Sequence, residues 1–244
     1  MASVAAVHQR RLREIWRSAG WPCRDPVELD LLAAGLLERQ WDDQGRETLR
    51  VTDAGIQVLA ATRRRNQAAR TAHEDLVARV ALDMQRAGRV AWRGLTLRAP
   101  LAAEDGSTQW VMAMPDVFSI RHTTVEDYVE PVVHEIKVSR ADLLSDLRRP
   151  AKGQAYQALA SQCWYVVREG IADEADVPPI YGLMVAGERA LEVLRPAPRR
   201  PMRLAFGTWM ALARAIPEVM PEGEEQAWLH AAAGQSDGSR GTAA

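Results

Sequence analysis

Lysine is nearly absent from this chain. All 31 basic residues are arginine except Lys137 and Lys152. Arginine therefore serves wherever a generic positive charge is wanted, and a surviving lysine is a candidate for work that a planar guanidinium cannot do. Cysteine is equally scarce. Cys23 and Cys163 stand far apart and match no metal-ligand spacing, which excludes a cysteine-built zinc module and suits a reducing cytoplasm. The five histidines are scattered and form no metal spacing either. No apolar run is long enough to span a membrane, and MASVAAVHQRR is too short in apolar residues for a signal peptide; a soluble, cytoplasmic protein without a membrane partner is expected. An excess of one charge sign is missing as well. With 31 basic against 32 acidic residues, any nucleic-acid surface must be a local patch. There are no internal repeats.

What is present is enough apolar material, 47% of 244 residues, for one large domain or a small one beside a medium one. Residues 4–18 have helical spacing, with Val4, Val7, Leu12 and Trp16 as an apolar stripe. Asp25 followed by Pro26 reads as an N-cap and first helical position for a second helix to about Ala34. Residues 36–41 and 47–51 read as two strands joined through Asp43-Gln44-Gly45. Thr52 then caps a long helix with Ile56, Val58 and Leu59 that runs into Arg63-Arg64-Arg65. Residues 66–71 are a junction compatible with continuous helix. Beyond it Leu76, Val77, Val80, Ala81 and Met84 face a core.

Trp110–Tyr165 is the informative stretch. QWVMAMPDVFSIR reads as one strand carrying Asp116, preceded by a strand over Val90–Arg98. PVVHEIKV reads as another. Side chains alternate across a strand, so Glu135 and Lys137 share one face, while His134, Ile136 and Val138 share the other. Charges on a strand apolar enough to be buried require pairing or a metal. His134 faces the apolar side and reads as a hydrogen-bonded core histidine. Ser139 with Asp142 starts a helix, which Pro150 kinks or splits. Lys152 and Tyr156, at i and i+4, share a helix face. Asp142 and Asp146 are explained by capping and salt bridging. Strands follow at Cys163–Arg168, Ile180–Ala186 and Ala190–Arg195, then helices at Ala205–Ile216 and Glu224–His230, and a disordered end from Gly234. The eight tryptophans read as mostly core.

Two resemblances follow from these residues. Helix, helix, two-stranded ribbon and helix, with GLLERQWDDQGRETLRVTDAG, resembles a winged helix over roughly residues 5–65. That implies DNA contact through Arg39, Arg46, Arg50 and the arginine run, residues 1–70 holding twelve arginines against nine acids. Pro115-Asp116 and Glu135-Ile136-Lys137, on neighbouring strands, resemble the two half-motifs of the PD-(D/E)XK nuclease superfamily. EIKVSRADLLSDLRRPAKGQAYQ, WYVV and VPPIYGLMVA are similar to the MmcB-like group of DNA-repair endonucleases over roughly residues 105–196.

The resemblance implies an α/β fold with a restriction-endonuclease-like α-β-β-β-α-β core and a mixed sheet, behind an N-terminal winged-helix-like domain. The expected division is 1–68 winged-helix-like, 69–200 nuclease-like, 201–233 a helical extension and 234–244 a disordered tail. It further implies a Mg²⁺-dependent deoxyribonuclease, Mn²⁺ being an alternative ion. Asp116 and Glu135 are the metal carboxylates, the Ile136 carbonyl a third ligand and Glu74 an additional acid. Lys137 is catalytic, and Lys152 and Tyr156 contact phosphate. DNA is the expected partner, and a homodimer is compatible with the sequence. The competing readings are a non-catalytic winged-helix DNA-binding regulator with an inactive nuclease-like domain, and an RNA-directed nuclease.

Overall fold

The computed structural model describes residues 4–103, 105–188 and 190–220; the expected helix at Glu224–His230 and the tail from Gly234 lie outside these. The chain divides into two compact units between Thr71 and Ala72.

The first unit opens with α1 (Ala6–Arg17) and α2 (Pro26–Ala33). Asp25 caps α2 by accepting from the Glu28 amide, with Pro26 at the first helical position. The hairpin of β1 (Leu37–Trp41) and β2 (Glu47–Val51) is antiparallel, Leu37 opposite Val51 and Trp41 opposite Glu47. Thr52 accepts from the Gly55 amide at the start of α3 (Asp53–Arg86), one unbroken helix that runs across the division. The core is Leu12, Ile15, Leu31, Leu36, Leu37, Leu49 and Val51. The stripe expected on α1 is therefore rotated. Leu12 and Ile15 are buried, whereas Val7 and Trp16 are 43% and 57% exposed.

In the second unit, the C-terminal part of α3 lies on a six-stranded mixed sheet. Its strands are β3 (Arg89–Arg93), β6 (Val117–Arg121), β7 (Val132–Lys137), β8 (Gln162–Arg168), β9 (Gly182–Ala186) and β10 (Leu191–Arg195). The order is β10-β9-β8-β7-β6-β3. The β7–β8 and β8–β9 pairs are parallel; the β10–β9, β3–β6 and β6–β7 pairs are antiparallel. The chain is thus mixed α/β. No helix among the described residues is long and apolar enough to cross a membrane.

Two expected strands are each broken in two. Val90–Arg98 gives β3 and, beyond Gly94, β4 (Leu97–Ala102). β4 pairs with β5 (Thr108–Ala113) in a separate two-stranded hairpin. Residues 109–121 likewise split into β5 and β6, so Asp116 precedes its strand instead of lying within it. Pro115 has no amide to give a ladder, and the Asp116 carbonyl accepts from the Gly94 amide at the crossing point.

Both faces of the large sheet are covered. Leu76, Val77, Val80 and Ala81 of α3 pack on Ala91, Val117, Ile136, Val166 and Met184. The opposite face, with Phe118, Val133, Tyr165 and Leu183, meets α4 (Arg140–Leu147), α5 (Pro150–Leu159), the β4–β5 hairpin and α6 (Phe206–Arg214). Pro150 separates α4 from α5, and Ser139 caps α4 by accepting from the Asp142 amide.

His134 is 1% exposed and its ring stacks on Trp164 with centroids 6.4 Å apart. It is the core residue expected, but its Nδ1 has no hydrogen-bond partner. Burial, with the Arg89 charge adding to it, pushes its pKa from 6.5 down to about 3. A folded-state value below the unfolded one means that the unfolded chain binds the proton first. Stability is therefore complete above pH 6.5 and falls as the pH drops towards 3, by roughly 3 kcal/mol at pH 4 from this residue alone. Urea midpoints at pH 7 and pH 4 check this: His134→Leu is expected to lose much less stability between the two than wild type does.

Candidate active site

Glu135 and Lys137 point from β7 to the face that carries α5, as strand alternation requires. Lys137 Nζ lies 2.6 Å from Glu135 Oε1, and Lys152 Nζ, from α5, lies 2.5 Å from the same oxygen. The Tyr156 hydroxyl is 2.8 Å from Glu135 Oε2 and 3.0 Å from the Met114 carbonyl. Its one proton goes to the carboxylate, the stronger acceptor. Lys152 also reaches Asp146 Oδ1 at 2.7 Å, and Tyr165 donates to Asp146 Oδ2 at 2.9 Å. Lys137 stands 3.6 Å from the same Asp146 oxygen.

Asp116 joins this group from the neighbouring strand. Val117 pairs with His134, which brings Asp116 alongside Glu135 one residue beyond the ladder. Asp116 Oδ2 accepts from the Ile136 amide at 2.7 Å and lies 3.4 Å from His73 Nε2. With all groups ionised the cluster holds three carboxylates against two ammoniums, an excess of one negative charge.

The electrostatics follow from this crowding. Burial, followed by the nearby Glu135 charge, pushes the Asp116 carboxyl up, and the Ile136 amide and His73 only partly oppose it. Burial would also raise Asp146, but Lys152 and Lys137 outweigh it and hold the carboxyl below its ordinary range. For Lys152 burial acts to lower the pKa, and Glu135 and Asp146 reverse it to a net rise. Burial and the adjacent carboxylates hold Tyr156 and Tyr165 firmly protonated.

Asp116, Glu135, Lys137 and Lys152, singled out in the sequence, come together here. The others are placed differently. Tyr156 is 3% exposed, and its hydroxyl donates to Glu135. The Glu74 side chain is 66% exposed and meets His73 at 3.5 Å, so it approaches Asp116 only through that imidazole. Among the described residues no group of three or more His, Cys, Asp or Glu side chains is arranged to hold a metal. Two hairpin arginines are paired: Arg39 lies 3.3 Å from Glu47 and Arg46 lies 2.7 Å from Asp42, while Arg50 stands across the ladder from Glu38 without an ion pair among the described residues.

Sequence reasoning missed His73 and gave Asp146 too little. Both carry a periodic signal. His73 sits four and seven residues before Val77 and Val80, in the middle of the buried stripe of α3, while Glu74 lies a quarter-turn off it. Asp146 sits three residues after the fully buried Leu143, on the inward face of α4.

No family model matches the chain, and no curated protein matches it. Among solved structures, a Silicibacter pomeroyi protein of unknown function is similar at 22% identity, with a TM-score of 0.35 over 65% of this chain and 87% of that one.

The cluster sets a stability order. Glu135→Ala strands two ammoniums and a phenol and is expected to cost about 3–5 kcal/mol. Lys137→Ala leaves Glu135 with Lys152 and Tyr156 and is expected to cost about 1.5–3 kcal/mol. Chemical denaturation of both variants checks the order, and equal losses would show that Lys152 does not compensate.

Proposed function

We propose that the second unit is a metal-dependent DNA endonuclease of the PD-(D/E)XK type, with a restriction-endonuclease-like core, working in DNA repair or processing. The observation that carries this reading is the convergence of Asp116, immediately before β6, and Glu135 of the adjacent antiparallel β7, with Lys137 2.6 Å from Glu135. Two carboxylates and the Ile136 carbonyl are hard oxygen donors of the kind Mg²⁺ takes, which needs only one or two carboxylates besides water and phosphate. Glu135 adds to burial in pushing the Asp116 carboxyl up, and that second part is repulsion of the kind a divalent cation would relieve, so the donor chemistry suits the ion. When bound, Mg²⁺ or Mn²⁺ would acidify a water and polarise the phosphoryl group.

The chain's own groups do the rest. The Ile136 amide holds Asp116, and Tyr156 holds one Glu135 oxygen, which fixes the direction of both carboxylates. Lys137 orients the attacking water or offsets charge on the phosphate. Lys152, with its side chain 30% exposed, is the ammonium nearer to solvent and meets the incoming phosphate. Asp146 positions both lysines. A compact ammonium beside two buried acids suits this work, in line with the retention of lysine at these two positions alone. The first unit, with two helices, a hairpin and a third helix in that order, is consistent with a winged-helix-like DNA-contacting domain.

One observation favours a rival. Both Glu135 oxygens already have donors, as expected of a structural ion cluster in a non-catalytic DNA-binding regulator. The two readings separate in a cleavage panel of single-stranded, duplex, branched and RNA substrates with Mg²⁺, Mn²⁺ or EDTA. Metal-dependent DNA cleavage is expected, lost by more than about a hundredfold in folded Asp116→Ala and Lys137→Ala. Duplex binding without cleavage under either metal would establish the regulator, and cleavage of RNA alone would establish an RNA-directed nuclease.

A further inference from the structure

The first unit holds seven exposed arginines without an ion pair among the described residues, Arg13, Arg17, Arg50, Arg63, Arg64, Arg65 and Arg70, and six of these lie on α1 and α3. Five of its nine carboxylates are paired with other arginines. Glu14 faces Arg10 and Arg11, Asp25 and Glu28 face Arg11, Glu47 takes Arg24 and Arg39, and Asp42 takes Arg46. A groove of about 840 Å³ runs between α1 and the first part of α3, and Arg13, Trp16, Arg17, Arg63, Asn66 and Arg70 line it. No acidic side chain lines it.

The spacing is that of two facing helical stripes. Arg13, Trp16 and Arg17 are at i, i+3 and i+4 on α1; Arg63, Asn66 and Arg70 are at i, i+3 and i+7 on α3. Arg63 and Arg70 are thus two turns apart, about 10 Å along the axis. Trp16 lies 57% exposed among these guanidiniums. An unpartnered indole in water has an open π-face, and cations on either side of it track a phosphodiester chain. The floor of the groove is Ile56, Leu59 and Ala60, which leaves an apolar bed beside the indole.

We propose that a single-stranded DNA segment docks in this α1–α3 groove, with bases stacking on Trp16 and phosphates meeting Arg13, Arg17, Arg63 and Arg70. This rests on the nucleic-acid reading above and moves the contact surface off the β1–β2 hairpin, whose Arg39 and Arg46 are already neutralised by Glu47 and Asp42. A single strand is favoured over a duplex because stacking needs an unpaired base face, which a duplex keeps inside.

The test uses the full chain in EDTA, so that no cleavage intervenes, with fluorescein-labelled oligo(dT) and a 20-base-pair duplex as probes read by anisotropy. Wild type is expected to bind oligo(dT) more tightly than duplex. Trp16→Ala is expected to weaken oligo(dT) binding by about 5- to 150-fold, with Trp16→Phe keeping part of the affinity. The double variant Arg13→Ala/Arg63→Ala is expected to lower affinity about tenfold and reduce the slope of log affinity against log salt by roughly 1.4, or two phosphates. Arg39→Ala/Arg46→Ala is expected to bind as wild type. All the replaced side chains are exposed, and thermal melts confirm folding. Oligo(dT) binding that survives in the groove variants, or duplex binding tighter than oligo(dT) binding, overturns the groove while leaving Lys137-dependent cleavage intact. A wild type that neither binds nor cleaves overturns both proposals.

Discussion

Glu135 is a carboxylate that water scarcely reaches, and the second unit surrounds it with hydrogen-bond donors. One oxygen receives two ammoniums and the other receives a phenol. These donors come from its own strand and from the helix that crosses the same sheet face. Asp146, delivered by the preceding helix, binds the outer ammonium and leaves it no freedom to turn away. Without this closed set of partners a buried acid would destabilise its surroundings. Strand β7, helices α4 and α5, and the tyrosine of β8 are therefore tied together by charge as well as by apolar packing.

The same constraint explains the awkward chain path around Asp116. Pro115 stops one strand, the Gly94 amide takes the Asp116 carbonyl, and the Ile136 amide takes its side chain. Asp116 is thereby held next to Glu135, although two like charges oppose being so close. Such opposition has no structural use by itself. The cation proposed above would relieve it.

The two units handle charge in different ways. In the second, both lysines are half-buried and paired with acids. In the first, five carboxylates pair with a few arginines, and other arginines along α1 and α3 have no ion pair among the described residues. A net charge of −1 conceals this separation completely, because averaging over the chain cancels a local surplus. The tryptophans were misjudged for a related reason. Trp16, Trp21, Trp41 and Trp110 are all more than half exposed, and nothing in their composition or spacing distinguishes a buried indole from a displayed one.

Local rules in the sequence determined much of this protein. Caps at Asp25, Thr52 and Ser139, the helix split at Pro150, the unbroken α3, and the shared face of Glu135 and Lys137 all depend on residues within a few positions of each other. Tertiary structure alone decided the rest. It divided the apparent strands at Gly94 and Pro115, gave β4 and β5 to each other instead of the main sheet, and turned Ile15 inward beside the expected Leu12 while leaving Val7 and Trp16 exposed. It also chose His73 over Glu74 as the neighbour of Asp116 and committed Tyr156 to Glu135. Those outcomes depend on which distant surface each side chain meets. Propensity and periodicity describe only the segment that presents it.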